Sequence, residues 1–510
     1  MGSKSVKIED LMAESGVKFG TSGARGLAVD MTDEVCYAYT WAFIQYLEEI
    51  GQITGKSKIA IGGDLRASTD RIMSAAARAV EDRGHIPENC GKLPTPALAN
   101  YGIETGIPTV MVTGSHIPED RNGIKYTRIE GEILKEDESG IKRQVAVIKE
   151  GVFDKKGMFL TKENAPSENP LAATSYVNRY VDFFPKGCLR GKRIAVYQHS
   201  AVGRDQMVEI FKDLGAEVTP LGFSDIFIPV DTEAIRQEDV DAARKWAGES
   251  DFDTIVSTDG DSDRPLISDE RGKWLRGDIA GILTAAYLEA DAVATPVSCN
   301  SALEKCCWFK KTYRTRIGSP YVIEGMQEAL KKGFKRVVGY EANGGFLIAS
   351  DMEREGKILK ALPTRDAVIV HLAVLLLAMK RRKKISELLF ELPLRVTFSD
   401  RLKNFPTERS FEKINGLLSK DGKGNKEAIE GIFGKNFGRV AETDTTDGLR
   451  ITFESSEVVH FRPSGNAPEF RCYNEADTES RAMEMNRICM DIMSSWRNGF
   501  AEPASQTQGI

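Results

Sequence analysis

Short apolar runs recur along the chain, each closing in a polar or glycine-rich loop and flanked by stretches with helical spacing. Residues 58–62 and 108–112 read as buried strands of this kind. Thr32 is placed to cap a helix running to about residue 50, with Val35, Ala38, Trp41 and Ile44 near one face. The alanine-rich stretch 69–84 is helical by propensity. Residues 135–170 are rich in Lys, Glu, Gly, Ser and Asn and read as charged connections leading to a boundary near Pro170. A helix resumes from Tyr176, and residues 191–197 repeat the sequence of basic residues, short apolar strand and polar loop. Residues 334–340 repeat it again, so the order of elements predicts three related α/β units.

Residues 253–257 form another strand, and the apolar helix through 368–377 is predicted to be core. The basic run 380–384 reads as a solvated helix end, where positive charge is favourable, and marks a domain boundary. Beyond it, strand-like runs flank residues 446–450 and 461–471. A closing helix runs from Thr478 to about residue 496, and the tail after Phe500 is expected to be disordered.

Composition narrows the class. At 510 residues the chain is long enough for three or four domains of about 100–200 residues each. With 41% apolar and 28% charged residues it has the make-up of a globular protein. A net charge of −6 gives no reason to expect a nucleic-acid partner, and no apolar stretch suggests a membrane span. The N-terminus lacks the apolar core of a secretory signal and matches a myristoylation pattern only loosely. The eight cysteines are scattered without a CxxC pair, which fits a reducing cytoplasm, and the five histidines show no metal-ligand spacing.

Five stretches carry candidate chemistry. The run 108–112 delivers Ser115, His116 and Lys125 on one loop, a hydroxyl, an imidazole and an amine at the end of a strand, where open α/β folds bind ligands. FGTSGARG at 19–26 combines turn-forming glycines with Arg25, whose forked donors match phosphate. Asp259, Asp261 and Asp263 alternate in DGDSDR after the strand 253–257, and close carboxylates of this kind call for a hard divalent cation. An EF-hand is excluded because Arg264 stands where that loop requires glycine and Pro265 follows. Asp231 and Asp269 are expected to be ordinary surface acids. Glu341 and Asn343 in EANGG offer a carboxylate and an amide suited to neighbouring sugar hydroxyls. Arg462, Ser464 and Asn466, with backbone amides, form a loop suited to a phosphate.

The five motifs FGTSGARG, TGSHIPEDRNGIK, DGDSDR, EANGG and RPSGNAPEFR, in this order over nearly the whole chain, resemble those of the α-D-phosphohexomutase superfamily. The resemblance implies an α/β protein of four domains around a central cleft: 1–170, 171–280 and 281–384 as related α/β units with mixed sheets, and 385–510 as a smaller α+β domain. It implies that Ser115 is the phosphoserine, that Asp259, Asp261 and Asp263 hold Mg²⁺ with a phosphoserine oxygen, and that Arg264 helps position phosphoserine or substrate. Lys125, Arg25 and His116 become candidates for proton transfer and charge stabilisation. Glu341 and Asn343 would contact the sugar, while Arg462, Ser464, Gly465, Asn466 and Arg471 would hold the non-reacting phosphate.

The implied reaction interconverts hexose 1-phosphate and hexose 6-phosphate, with a hexose 1,6-bisphosphate as intermediate and activator. Mannose phosphates are the expected substrates, with glucose or (N-acetyl)glucosamine phosphates the alternative. The implied partners are therefore small sugar phosphates, with the protein a monomer or homodimer. Two departures bear on specificity: Ile117 stands where the family usually has Asn, and EANGG replaces the commoner Glu-x-Ser-Gly-His loop. A sugar phosphatase and a non-catalytic sugar-phosphate-binding protein are the readings from other classes.

Overall fold

Three times along the chain the same four-stranded arrangement is built, and each time the turn before the fourth strand carries one of the motifs. In the computed structural model, which describes residues 2–20, 23–464 and 468–498, the N-terminal sheet lines up Ile86–Lys92, Lys58–Gly63, Thr109–Val112 and Arg121–Arg128. The second sheet lines up Glu217–Phe223, Arg193–His199, Thr254–Thr258 and Pro265–Ile267 in the same connectivity. The third repeats it with Lys311–Thr315, Ala292–Pro296, Val337–Tyr340 and Phe346–Ile348. In each sheet the first and third of these strands in chain order run parallel, and the fourth returns antiparallel as a hairpin. The serine, acidic and glycine loops occupy these three hairpins, where the chain leaves the C-terminal end of a parallel strand.

The common topology supports three related units but corrects their phasing. Residues 193–199 are the first strand of the second unit, whereas 337–340 are the third strand of the third. Its first strand, Ala292–Pro296, has alanine or proline at three of its five positions and so carries little β-propensity, yet it is buried throughout.

Packing follows the predicted faces in the N-terminal unit. Thr32 caps the helix Asp33–Glu49 by accepting the Val35 N–H at 3.3 Å. That helix and Thr69–Asp82 bury their apolar faces on the sheet, where Phe43 stacks on Tyr126 at 4.5 Å. The charged stretch after residue 135 is more ordered than its composition suggests. It forms the helix Lys135–Lys142 and the strand Val145–Lys149, which pairs antiparallel with Ser3–Lys7. Ile141, Ala146 and Ile148 face the core, Lys135, Glu136, Arg143 and Lys149 face out, and the two buried acids, Asp137 and Glu138, are paired with Tyr46 and Lys142, so a one-sided apolar pattern hides under a high overall charge. The next helix, Leu171–Phe183, starts before Tyr176. The apolar helix Ala367–Arg381 is buried, capped by the Asp366 carboxylate, and stopped by Arg382 in the left-handed region at φ 54°. Asp269, expected at the surface, is 3% exposed and accepts the N–H groups of Arg271 and Lys273, both at 2.9 Å, to shape a turn.

The chain divides into two compact units. The first contains the three sheets, apart from the strand ends Pro296 and Arg314–Thr315, and runs to Leu389; Pro296–Trp308 and Arg314–Ile317 belong to the second with the chain from Phe390 onward. The second unit is an antiparallel sheet in the order Val396–Lys403, Glu469–Ala476, Val458–Pro463, Leu449–Phe453 and Val440–Asp444. Its helices Thr407–Asn415, Lys426–Phe437 and Glu479–Asn498 share one core with it. The tail expected to be disordered lies outside the described residues. All eight cysteines are free thiols. Among the described residues no helix is long and apolar enough to cross a membrane.

Candidate functional site

Ser115 sits on the first hairpin with its backbone in the left-handed region, at φ 57°, a conformation that costs a non-glycine residue about 1–2 kcal/mol. The surroundings hold it there. Its N–H donates to Thr113 Oγ1 at 2.7 Å, and Thr113 in turn donates to Asp64 Oδ2 at 2.8 Å. The fully buried Arg66 guanidinium donates to the carbonyls of Ser115 (2.7 Å), Ile117 (2.7 Å) and Pro118 (3.0 Å) and to Asp64 Oδ2 (3.1 Å). One arginine thus satisfies three loop carbonyls, and it stacks 3.9 Å over the Phe227 ring. Ile117 contributes only its carbonyl to this grip, so the departure from Asn leaves the loop's support intact.

The Ser115 hydroxyl donates to Asp259 Oδ2 at 2.6 Å and lies 3.4 Å from His116 Nδ1. The acidic loop is the second hairpin, closed by Asp259 N–H to the Arg264 carbonyl at 3.1 Å. Asp259 Oδ1 accepts the N–H groups of Asp263 (3.2 Å) and Arg264 (3.1 Å). Asp261 Oδ2 accepts Lys125 Nζ (2.6 Å) and Thr95 Oγ1 (2.7 Å). Asp263 Oδ2 accepts Lys125 Nζ (2.7 Å) and Arg365 Nε (3.0 Å). Each carboxylate therefore commits one oxygen to protein cations or amides and presents the other. Asp261 Oδ1 and Asp263 Oδ1 are buried without a hydrogen-bond partner, and Asp259 Oδ2 meets the serine.

One ligand oxygen from each of the three acids lies within 4.8 Å of the others. This set of hard oxygens, two of them orphaned, fits a small divalent cation. Burial and the neighbouring Asp261 and Asp263 push the Asp259 carboxyl well above the usual range. At Asp261 burial acts in the same direction but the Lys125 ammonium and Thr95 outweigh it and hold the carboxyl low.

Other predicted residues gather around these hairpins. Arg25 and Lys125 lie on adjacent strands in the register Gly23↔Lys125 and Arg25↔Gly123, which puts both on the face away from Ile124 and Tyr126. Burial, then the Arg264 and Arg365 cations, lowers Arg25 to about 10. Arg264 Nε lies 3.8 Å from Asp259 Oδ2 and 3.7 Å from Asp263 Oδ1. Burial and the Arg264 cation bring His116 down to about 2, so its imidazole is neutral at physiological pH. Asp231, expected at the surface, is half-buried; burial raises its carboxyl, but the nearby Arg264 cation and the N–H groups of Glu233 and Ala234 help to hold it low. It accepts the N–H of Glu233 at 3.0 Å.

The glycine loop is the third hairpin. Asn343 Oδ1 accepts the Gly345 N–H at 2.9 Å, and Gly344 takes φ 87°. Gly345 is required by packing, since a Cβ there would meet Arg365 Cδ at 2.4 Å. Arg365 Nη1 donates to Glu341 Oε2 at 3.1 Å while its Nε holds Asp263. No motif flagged Arg365, yet it joins the glycine loop to the acidic loop. Its signal was positional: it sits on Leu362–Asp366, the strand beside Phe346–Ile348.

In the second unit, Arg462 and Arg471 are direct cross-strand neighbours, and Arg401 lies opposite Arg471 on the next strand. Arg462 Nε donates to Asp447 Oδ2 at 2.8 Å. Ser464 N–H donates to the Glu469 carbonyl at 2.8 Å, while Gly465 and Asn466 lie outside the described residues. Like charges at facing positions cost stability unless an anion or acid offsets them; here two acids, Glu469 (3.4 Å from Arg471 and 3.6 Å from Arg401) and Asp447, meet three arginines, so the row keeps a positive excess suited to an anionic ligand.

The fold and its three chemistry-bearing hairpins define a multidomain α/β protein with a serine, an acidic triad and a ring of cations. Residues 16–151 match the model for phosphoglucomutase/phosphomannomutase, alpha/beta/alpha domain I, and residues 276–396 match that for domain III. A phosphomannomutase of Salmonella muenchen is 44% identical over 95% of this chain and 97% of its own length. One of Sinorhizobium fredii is 43% identical over 94% and 99%. A phosphoglucomutase/phosphomannomutase family protein of Burkholderia thailandensis, solved by X-ray crystallography, shares the fold with a TM-score of 0.70 at 18% identity, covering 95% and 98% of the two chains. The chain belongs to the phosphoglucomutase/phosphomannomutase family.

Proposed function

We propose that this protein interconverts mannose 1-phosphate and mannose 6-phosphate through a phosphoserine at Ser115 and an enzyme-bound 1,6-bisphosphate. The observation that carries the reading is the 2.6 Å contact between Ser115 Oγ and Asp259 Oδ2, beside two orphaned carboxylate oxygens. The choice of mannose rests on the two phosphomannomutases at 43–44% identity. Asp259, Asp261 and Asp263 would hold Mg²⁺, which when bound supplies charge neutralisation to the phosphoryl group on Ser115.

In the forward direction the phosphorus–Oγ bond of phosphoserine breaks as a bond forms to the 6-hydroxyl of mannose 1-phosphate. The hydroxyl's proton ends on Ser115 Oγ, giving serine and the 1,6-bisphosphate. The bisphosphate then turns, its 1-phosphoryl group returns to Ser115, and mannose 6-phosphate leaves. Lys125, Arg25 and Arg264 supply positive charge to meet the negative charge on the oxygens of the transferring phosphoryl group. His116, neutral and 3.4 Å from Oγ, relays the proton rather than storing it. Glu341 and Asn343 orient the sugar hydroxyls, and Arg462, Ser464, Gly465, Asn466 and Arg471 hold the phosphate that is not reacting. The domain division at 170, 280 and 384 belongs to the same proposal, supported by one complete hairpin motif falling in each of the first three segments.

The test is phosphorus NMR of the protein with Mg²⁺ and a trace of glucose 1,6-bisphosphate. Mannose, glucose, glucosamine and N-acetylglucosamine 1-phosphates are offered in parallel. Mannose 6-phosphate without free phosphate is the expected product. Conversion of another sugar alone would reassign the substrate, and release of free phosphate would make the protein a phosphatase.

Arg462→Ala is expected to lower kcat/KM about 10–100-fold, mostly through KM, because a charged hydrogen bond to the remote phosphate is worth about 1.5–3 kcal/mol. Steady-state kinetics on mannose 1-phosphate checks it, and unchanged kinetics would remove Arg462 from the site.

A further inference from the structure

The turn Thr446-Asp447-Gly448 carries a carboxylate that the reaction above does not use. Gly448, at φ 82°, lets the turn close against the end of the strand Val458–Pro463; a Cβ there would meet the Phe461 carbonyl at 2.1 Å. The Asp447 carbonyl accepts His460 Nε2 at 2.6 Å, and that imidazole stacks on Tyr473 at 5.3 Å. With its backbone so fixed, Asp447 points one oxygen at two donors. Oδ2 accepts Arg462 Nε at 2.8 Å and the Ile317 N–H at 2.9 Å. Beside it, Arg316 Nε donates to the Thr446 carbonyl at 3.2 Å.

An arginine has five N–H donors, one on Nε and the rest on the two Nη atoms. Among the described residues, Arg462 spends only Nε, on Asp447, and both Nη groups remain uncommitted at a side-chain exposure of 16%. A guanidinium held by Nε keeps its forked pair free for a bidentate oxyanion. Arg462 also faces Arg471 across the sheet; Arg471 is met by Glu469 at 3.4 Å, and Asp447 is the acid that meets Arg462 and directs its fork.

We propose that Asp447 is the positioning residue of the phosphate anchor, and that through the same oxygen it ties Arg462 to the segment Arg314–Ile317. The proposal rests on the reading of Arg462 as that anchor. The segment leads through Gly318, at φ 130°, into the helix Ser319–Lys331. Phosphate on the anchor and a protected Ile317 N–H are therefore linked states: whatever fixes Arg462 also fixes the acceptor of that N–H.

The test uses the full-length protein and the variants Asp447→Asn, Asp447→Glu, Arg462→Ala and Asp447→Asn/Arg462→Ala, with thermal unfolding as a check on folding. Asp447→Asn is expected to raise KM for mannose 1-phosphate about ten-fold, the cost of a lost charge-assisted bond, with kcat changed less than about three-fold. Asp447→Glu restores part of the loss by keeping the charge. In the double variant the Asp447 change adds nothing to Arg462→Ala, since its target is gone. Hydrogen exchange read at the Ile317 amide should be slow, slow further with mannose 1-phosphate, and quicken in Asp447→Asn.

If Arg462→Ala raises KM and Asp447→Asn does not, or if the two effects simply add, the positioning role is wrong. An unchanged KM in Arg462→Ala would strike the anchor reading itself and take this proposal with it. Should Asp447→Asn unfold, the wild-type exchange measurement decides alone: an Ile317 amide that mannose 1-phosphate leaves unprotected overturns the linkage.

Discussion

Replacing Ser115 with alanine is expected to abolish isomerisation, lowering kcat by at least about 10⁴-fold, as expected when the group that bonds to the transferred atom is lost. No phosphorylated protein should form with glucose 1,6-bisphosphate, and intact-mass measurement after incubation would show this independently of turnover. The fold should survive. Arg66 grips the loop through the carbonyls of residues 115, 117 and 118, which alanine leaves in place. What disappears is the hydroxyl that donates to Asp259 Oδ2, a loss of about 1–3 kcal/mol at most.

A glycine at the same position separates chemistry from strain. Ser115→Gly should be just as inactive, yet more stable than Ser115→Ala, because the left-handed backbone at φ 57° costs glycine nothing. Undiminished isomerisation by either variant would remove the phosphoserine from the mechanism.

Legibility in the sequence followed contiguity. The residues of the three hairpin loops stand in unbroken motifs, so Ser115, the alternating acids and the Glu341–Asn343 pair could be read directly. The groups that orient them could not. Arg66 and Arg365 sit in stretches whose composition marks only a turn and a strand. Their roles come from where the sheets bring them: three carbonyls for one, and two acids from different hairpins for the other. Asp231 and Asp269 looked like surface acids because isolated carboxylates usually are, and burial of a charge cannot be read without its partners. The strand Ala292–Pro296 and the ordered elements after residue 135 were missed for a common reason. Tertiary burial overrode local composition, alanine-rich in one case and highly charged in the other.

The same dependence on partners makes Lys125→Met the most consequential change for the apo protein. The Lys125 side chain is 6% exposed, and its ammonium is the shared partner of Asp261 and Asp263, both with wholly buried side chains. Methionine would leave Asp261 with only the Thr95 hydroxyl as a hydrogen-bond donor, and Asp263 with Arg365 and the more distant Arg264. Breaking a buried pair from one side costs about 3–5 kcal/mol, and thermal or urea unfolding without metal should show a loss of this size.

Mg²⁺ should then stabilise the variant more than the wild type. The oxygens free for a cation, Asp261 Oδ1 and Asp263 Oδ1, belong to the carboxylates that the ammonium already holds, so lysine and metal repel across the same acids. Without the lysine the metal binds more tightly, and saturation at 100 times its dissociation constant returns about 2.7 kcal/mol. Stability is recovered in part and catalysis is not: isomerisation should remain down about 10²–10³-fold, because no cation at position 125 meets the charge of phosphoryl transfer. Equal Mg²⁺-induced shifts in the two proteins would mean that the acidic triad is not where the metal binds. A metal-free variant as stable as the wild type would mean that Lys125 is not what holds the acids together.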